Sequence, residues 1–295
     1  MTLLRFAKLL RLAVWRALNH DAFGVAKGVA FSLIISLFPA FLLVASILAA
    51  SEKTAKYVTE IAYVVGRIMP PGTAHTAQAY FTSAQDRPIR VLFIMSLVTL
   101  WTGSGVMISW MEGFRNAYGL PKIWGLVKER VIAFGLVIMA GIPLTFATVL
   151  VAFGTQIELW MIYHAGHDFA LYILVLWTVV RWVIASLTSI AVMQVVYHHA
   201  VPRTQPWQTV LPGAALSTAL WFPATVGFGW YVTHFAAYSL LYGSLATAIV
   251  LLIWMYIISA IVLIGAEFNA LLYPRLVAAQ SPPAAQMPQP RAGVG

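Results

Sequence analysis

The run HAGHD sets three potential metal ligands close together, His164, His167 and Asp168. Residues three and four apart share a helical face, so these side chains could hold one divalent cation and activate water for phosphodiester hydrolysis. The rest of the inventory argues against that chemistry. Nine acids are scattered over 295 residues with no HxHxDH-type run, and the absence of cysteine removes thiolate nucleophiles, cysteine metal sites and disulfides together. A His/Asp turn at a membrane interface, with Asp168 near a helix N-terminus, explains HAGHD without a metal. The pair His198-His199, beside Arg203, reads as a loop. No cofactor is expected, and no nucleotide-binding loop occurs.

A different chemistry belongs to charges held in hydrocarbon, where their cost makes function the first reading. Arg181 stands in the middle of VLWTVVRWVIASL, residues 175–187. It lies about 15 Å from the outer end of its helix at 1.5 Å per residue, too deep to snorkel freely. Trp177, Thr178, Ala185 and Thr188 share its face, a small and partly polar stripe suited to the bundle interior or a wet cavity. One reading has Arg181 bonded to carbonyls freed by Pro143 or Pro223. The other has its guanidinium fork meet the phosphate of a lipid headgroup, with Trp177 and Thr188 lining the site. Glu112 and Glu267 are placed at similar depth, near Lys27, Arg115 and Arg130, so an ionic cluster of Lys27, Glu112, Arg115 and Glu267 is expected at the inner mouth. It serves either as a set of helix-locking salt bridges or as a gate or headgroup site.

The elements that carry these groups follow from composition. Hydrophobic residues make up 61% of the chain and charged ones only 9%, where a soluble domain has about 25% charged. Six apolar runs reach the length of roughly 20 residues that a 30 Å hydrocarbon layer requires, at about 28–50, 91–111, 131–154, 171–197, 208–235 and 243–271. All should be helices, because a lone strand would leave its backbone unpaired in lipid. The first run is too long for the core of a cleavable signal peptide and is read as a retained helix. The fold class is therefore all-α, a polytopic membrane protein with six transmembrane helices.

Lysine and arginine set the orientation. Arg5, Lys8, Arg11, Arg16, Lys27, Arg115, Lys122, Lys128, Arg130, Arg203, Arg275 and Arg291 fall on one side; Lys53, Lys56, Arg67, Arg87 and Arg90 fall on the other, all in one long loop. Both termini are expected in the cytoplasm. The net charge of +9 is thereby a topology signal and an attraction to anionic lipid, with no nucleic-acid partner required. Residues 1–26 form a cytoplasmic amphipathic arm, either a helix on the inner leaflet or a plain cap. Residues 27–275 form the transmembrane domain, with a helical external loop at 51–90, and 276–295 form a Pro- and Ala-rich disordered tail. Small residues recur every fourth position at Ser32, Ser36 and Ala40, and again at Gly105, Ser109 and Gly113, marking close helix contacts. Pro39, Pro143 and Pro223 favour kinks.

AFSLIISLFP (30–39), WTGSGVMISWMEGFRNAYG (101–119) and YGSLATAIVLLIWMYIISAIVLIGAEFNALLYPR (242–275), in this order and spacing, resemble the YihY/BrkB family of bacterial inner-membrane proteins. The closing GAEFN and the SG…GFRNAYG block are the most specific parts. The resemblance implies a six-helix protein of the bacterial envelope. Members have carried the label ribonuclease BN, widely regarded as a misassignment, and others are linked to serum resistance or to lipid and lipopolysaccharide handling. The expected role is handling or translocation of a phospholipid or lipid A-type molecule. Membrane lipids are the expected partners, and envelope proteins or a second copy of the chain are further ones. A scaffolding membrane protein is the alternative, and an enzyme the third.

Overall fold

The computed structural model describes residues 3–49, 89–152, 161, 163, 170–202, 206–235 and 244–273. The expected external loop helices, HAGHD and the tail lie outside the described residues. Seven helices carry the described chain: α1 (Leu3–Asn19), α2 (Ala22–Ala49), α3 (Ile89–Tyr118), α4 (Leu126–Ala152), α5 (Ala170–His199), α6 (Trp207–Phe235) and α7 (Ser244–Leu272). The described residues contain no strand. Helices α2 to α7 each contain a segment long and apolar enough to cross a membrane, six in all. Pro39, Pro143 and Pro223 all lie within continuous helices, as does Pro212.

Each of α2 to α7 packs on its neighbour in chain order, α7 closes on α2, and α7 also touches α3. Burial is concentrated at the end where α1 lies. There Ala26, Val29, Met111, Phe114, Tyr118, Val196, Tyr197, Ala214, Leu263 and Ala266 are buried, whereas Phe93, Leu97, Ile142, Leu176, Val226 and Trp230 towards the other end are exposed. Exposed apolar side chains on a transmembrane helix face lipid, so among the described residues only the α1 end has a protein-like core.

Glycines set that close approach. A Cβ on Gly265 of α7 would stand 2.0 Å from Ser217 Oγ and 2.8 Å from the Gly213 carbonyl of α6, and a Cβ on Gly213 would stand 2.3 Å from the Gly265 carbonyl. The two backbones therefore meet without side chains between them. Gly113 admits Leu263 of α7 and Val25 of α2 in the same way, while Gly105 lies beside Ser32. Ser36 and Ser109 instead turn back onto their own helices, bonding the carbonyls of Leu33 and Gly105. Gly265→Ala is expected to lower stability in detergent by about 1–3 kcal/mol through overpacking. Gly141→Ala, at a site open to at least 4 Å, should leave the thermal midpoint unchanged or raise it.

The turn after α3 shows why GFRNAYG ends in glycine. Gly119 adopts φ +64°, and the amides of Gly119 and Leu120 donate to the carbonyls of Asn116 and Arg115, a Schellman closure that Gly allows without Cβ strain. Leu120 is buried behind it.

Candidate functional site

Among the described residues, three polar clusters and a chamber stand out in the bundle. The first cluster joins α1 to α7. Phe6 meets Phe268 edge to face at 5.8 Å, and the fully buried Ala13 and Ala17 let α1 lie close to the bundle. Asp21, at φ 54°, turns the chain between α1 and α2. On the packed side of α1, His20 Nδ1 lies 2.5 Å from Glu267 Oε1 and Arg16 Nε lies 3.4 Å from Glu267 Oε2. Glu267 itself is fully buried.

The second cluster joins α3 to α4. Arg115 pairs with Glu129, both buried, and Lys122 Nζ reaches the other carboxylate oxygen at 3.3 Å. Glu129 is in the first turn of α4, where an anion meets the positive end of the helix dipole. Arg130 turns the other way, donating to Ser104 Oγ at 2.7 Å and resting over Trp101 at 4.5 Å.

The third cluster pins α6 to α7 and α5. Asn269 accepts from the Gly213 amide at 2.6 Å and donates to the Val210 carbonyl at 3.1 Å, binding both sides of a backbone stretch interrupted by Pro212. Tyr197 of α5 donates to the Val262 carbonyl at 2.6 Å and shares a 2.7 Å hydrogen bond with Ser217. Four residues of the GAEFN motif are thereby accounted for: Gly265 for close approach, Glu267 for α1, Phe268 for Phe6, Asn269 for α6.

The expected single cluster is corrected by this arrangement. Glu267 and Arg115 are in separate ion-pair groups, and Lys27 and Glu112 are exposed, in no ion pair among the described residues. The cause is rotational. Met111, Phe114, Arg115 and Tyr118 form the inward face of α3, which turns Glu112 outward. Arg16, His20 and Glu129 were the partners missed. Glu129 carried a signal, since it is the lone acid in the cationic segment from Arg115 to Arg130. His198 and His199 also differ from the loop reading. They close α5 as helical residues, and His198 stacks on Trp207 at 4.2 Å.

A chamber of about 310 Å³ lies where the tight end gives way to the open one, walled by residues from α2 to α7. Trp110, Trp221 and Trp254 contribute to an almost wholly apolar lining, with Ser189, Ser217 and Thr218 as its polar groups. The Thr218 hydroxyl is buried without a hydrogen-bond partner. Val192 of α5 also lines the chamber, and Arg181 lies eleven residues before it, three helical turns and so on one face. Arg181 is half-buried, and its Nε is buried with no hydrogen-bond partner. Thr188 lies on the same helix between them and is half-buried, as is Trp177. Among the described residues no three His, Asp or Glu side chains are grouped to hold a metal.

Over residues 13–290 the chain matches the family model described as virulence factor BrkB. The chain belongs to the BrkB family. This BrkB protein is 25% identical over 258 residues to the ribonuclease-like protein YfkH of Bacillus subtilis, covering 87% of the chain and 92% of YfkH. It is 25% identical over 271 residues to a UPF0761 membrane protein of Rhodospirillum centenum, and 26% identical over 262 residues to one of Stenotrophomonas maltophilia. These alignments cover 89% and 86% of the BrkB chain, but it spans only 56% and 58% of those two relatives. No solved structure matches it. With six apolar helices and membrane-protein relatives, it is a multi-pass bacterial membrane protein.

Proposed function

We propose that this BrkB protein translocates a phospholipid or lipid A-type molecule, with an acyl chain in the apolar chamber and the headgroup phosphate at Arg181. One observation carries the reading: a guanidinium nitrogen is buried without a hydrogen-bond partner on the same helical face as the chamber wall. Such a group invites an anion, and phosphate fits its fork through paired N–H donors. Apolar walls three turns away suit the chain of the same molecule. Trp177 and Thr188 border Arg181 on α5 and shape the headgroup end.

The asymmetry of lysine and arginine supports a cytoplasmic location for both termini, and hence for the α1 end. In this orientation α1 rests on the inner leaflet. Trp15 and Leu18, 61% and 55% exposed, face away from α7 together with Lys8 and Arg11. This pairing of apolar anchors with cations matches an anionic lipid surface. A nitroxide at Trp15→Cys, in a chain with no other cysteine, should be accessible to oxygen dissolved in lipid and shielded from aqueous nickel chelate. The reverse accessibility would place α1 in water.

The functional test is lipid scrambling. Purified protein in vesicles of phosphatidylethanolamine and phosphatidylglycerol should expose inner-leaflet NBD-labelled lipid to dithionite. Val192→Trp, which fills the chamber, should slow that exposure severalfold in folded protein. Bleaching confined to the outer leaflet would favour a scaffolding role.

A further inference from the structure

Arg130 is half-buried, yet among the described residues no carboxylate pairs with it. Its neighbour Glu129 is taken by Arg115 and Lys122. Glu112 lies eight residues along α3 from the Arg130 contact at Ser104, about 12 Å away at 1.5 Å per residue. Arg130 comes only four residues after Leu126, the first residue of α4, close enough to the helix end to reach water by snorkelling. It does the opposite and turns inward to the groove between α3 and α4.

The guanidinium is held there by a built frame. Ser104, fully buried, donates its hydroxyl hydrogen to the Trp101 carbonyl at 2.6 Å and accepts from Arg130 Nη1 at 2.7 Å. The Trp101 ring lies under the guanidinium and is flanked by Phe134 at 6.1 Å, one turn after Arg130 on α4. One of five N–H donors is thus committed to Ser104, and neither a hydroxyl nor a ring face neutralises the charge. A lock between α3 and α4 already exists in the Arg115–Glu129 pair, so helix pairing does not require this cation. The outer side of the groove is apolar and open: Leu97, Trp101, Val127 and Val131 are all exposed.

We propose that Arg130, fixed by Ser104 and Trp101, binds the phosphate of an anionic phospholipid lying in the groove between α3 and α4 on the outside of the bundle. The free N–H donors of Arg130 meet the phosphate oxygens, and the acyl chains run along the exposed apolar side chains. Charge selects the headgroup. A zwitterionic lipid would bring an ammonium with no carboxylate to receive it, whereas an anionic one neutralises Arg130 outright. A free phosphate ion would lose its hydration in an apolar groove and gain nothing from the surrounding side chains. Arg181 belongs to a different helix, α5, and the site does not rest on translocation; it needs only that the bundle lie in lipid.

Native mass spectrometry of the full-length protein would test the site, in an Arg181→Gln background so that Arg181 contributes no phosphate contact. Phosphatidylglycerol should be retained at least about tenfold more tightly than diacylglycerol with the same chains, and severalfold more tightly than phosphatidylcholine. Adding Arg130→Gln should weaken phosphatidylglycerol at least about tenfold at a matched thermal midpoint, and Trp101→Leu severalfold. Arg130→Lys keeps the charge but loses the planar fork, and it decides the matter if Arg130→Gln does not fold: its affinity should fall at least about threefold. Undiminished phosphatidylglycerol binding by folded Arg130→Gln, or by Arg130→Lys, would overturn the site. Equal retention of diacylglycerol would overturn the phosphate contact, equal retention of phosphatidylcholine the charge selection, and displacement of phosphatidylglycerol by equimolar inorganic phosphate the choice of a lipid as occupant.

Discussion

Glu129→Ala should cost about 3–5 kcal/mol of stability, because it leaves the Arg115 guanidinium buried with no opposite charge. Arg115 is 7% exposed and Glu129 2%, so water cannot substitute for the lost partner. Lys122 cannot compensate, since it carries the same sign as Arg115 and is itself half exposed. The double change Arg115→Met with Glu129→Leu removes both charges and keeps the volume, and it should recover most of the loss. Thermal unfolding in detergent would measure both. A double variant as unstable as Glu129→Ala would show that the position needs the carboxylate for another reason. Across the clusters the effects should add: Glu112→Gln and Glu267→Gln share no partner, whereas Arg16→Gln and Glu267→Gln do and should couple.

Arg181→Gln should abolish most lipid movement while leaving the bundle folded. No hydrogen bond to Arg181 holds the structure together among the described residues, so its removal relieves a desolvated cation rather than breaking a bond. Arg181→Lys keeps the charge but loses the planar fork, and it should retain a small part of the activity, roughly a tenth or less if two charge-assisted bonds to phosphate are replaced by one. The readout is the rate of dithionite bleaching beyond the outer leaflet, at matched thermal midpoint. Wild-type rates in Arg181→Gln would exclude the phosphate role, and a collapsed thermal midpoint would assign Arg181 a structural one.

The spans were legible in the sequence because the signal for them is local. Twenty apolar residues in a row are sufficient to define a helix in lipid, and α2 to α7 cover all six expected runs. The small residues were legible for the same reason: Gly105 beside Ser32 and Gly113 under Leu263 lie where a repeat of four places them. Which face of each helix turns inward was a different matter. A soluble helix announces its buried side by an apolar stripe, but α4 and α5 carry apolar residues on every side, so their rotation leaves little trace in the sequence. Glu112 and Glu267 show the consequence. Both end apolar helices at the same end of the bundle, yet packing turns one outward and buries the other. Partners distant in sequence were likewise decided by tertiary structure, as His20 and Glu267 meet only because α1 folds back along α7. Local composition determines which segments enter the membrane; the relative rotation of the helices, set by where glycines let two backbones touch, determines which charges find one another.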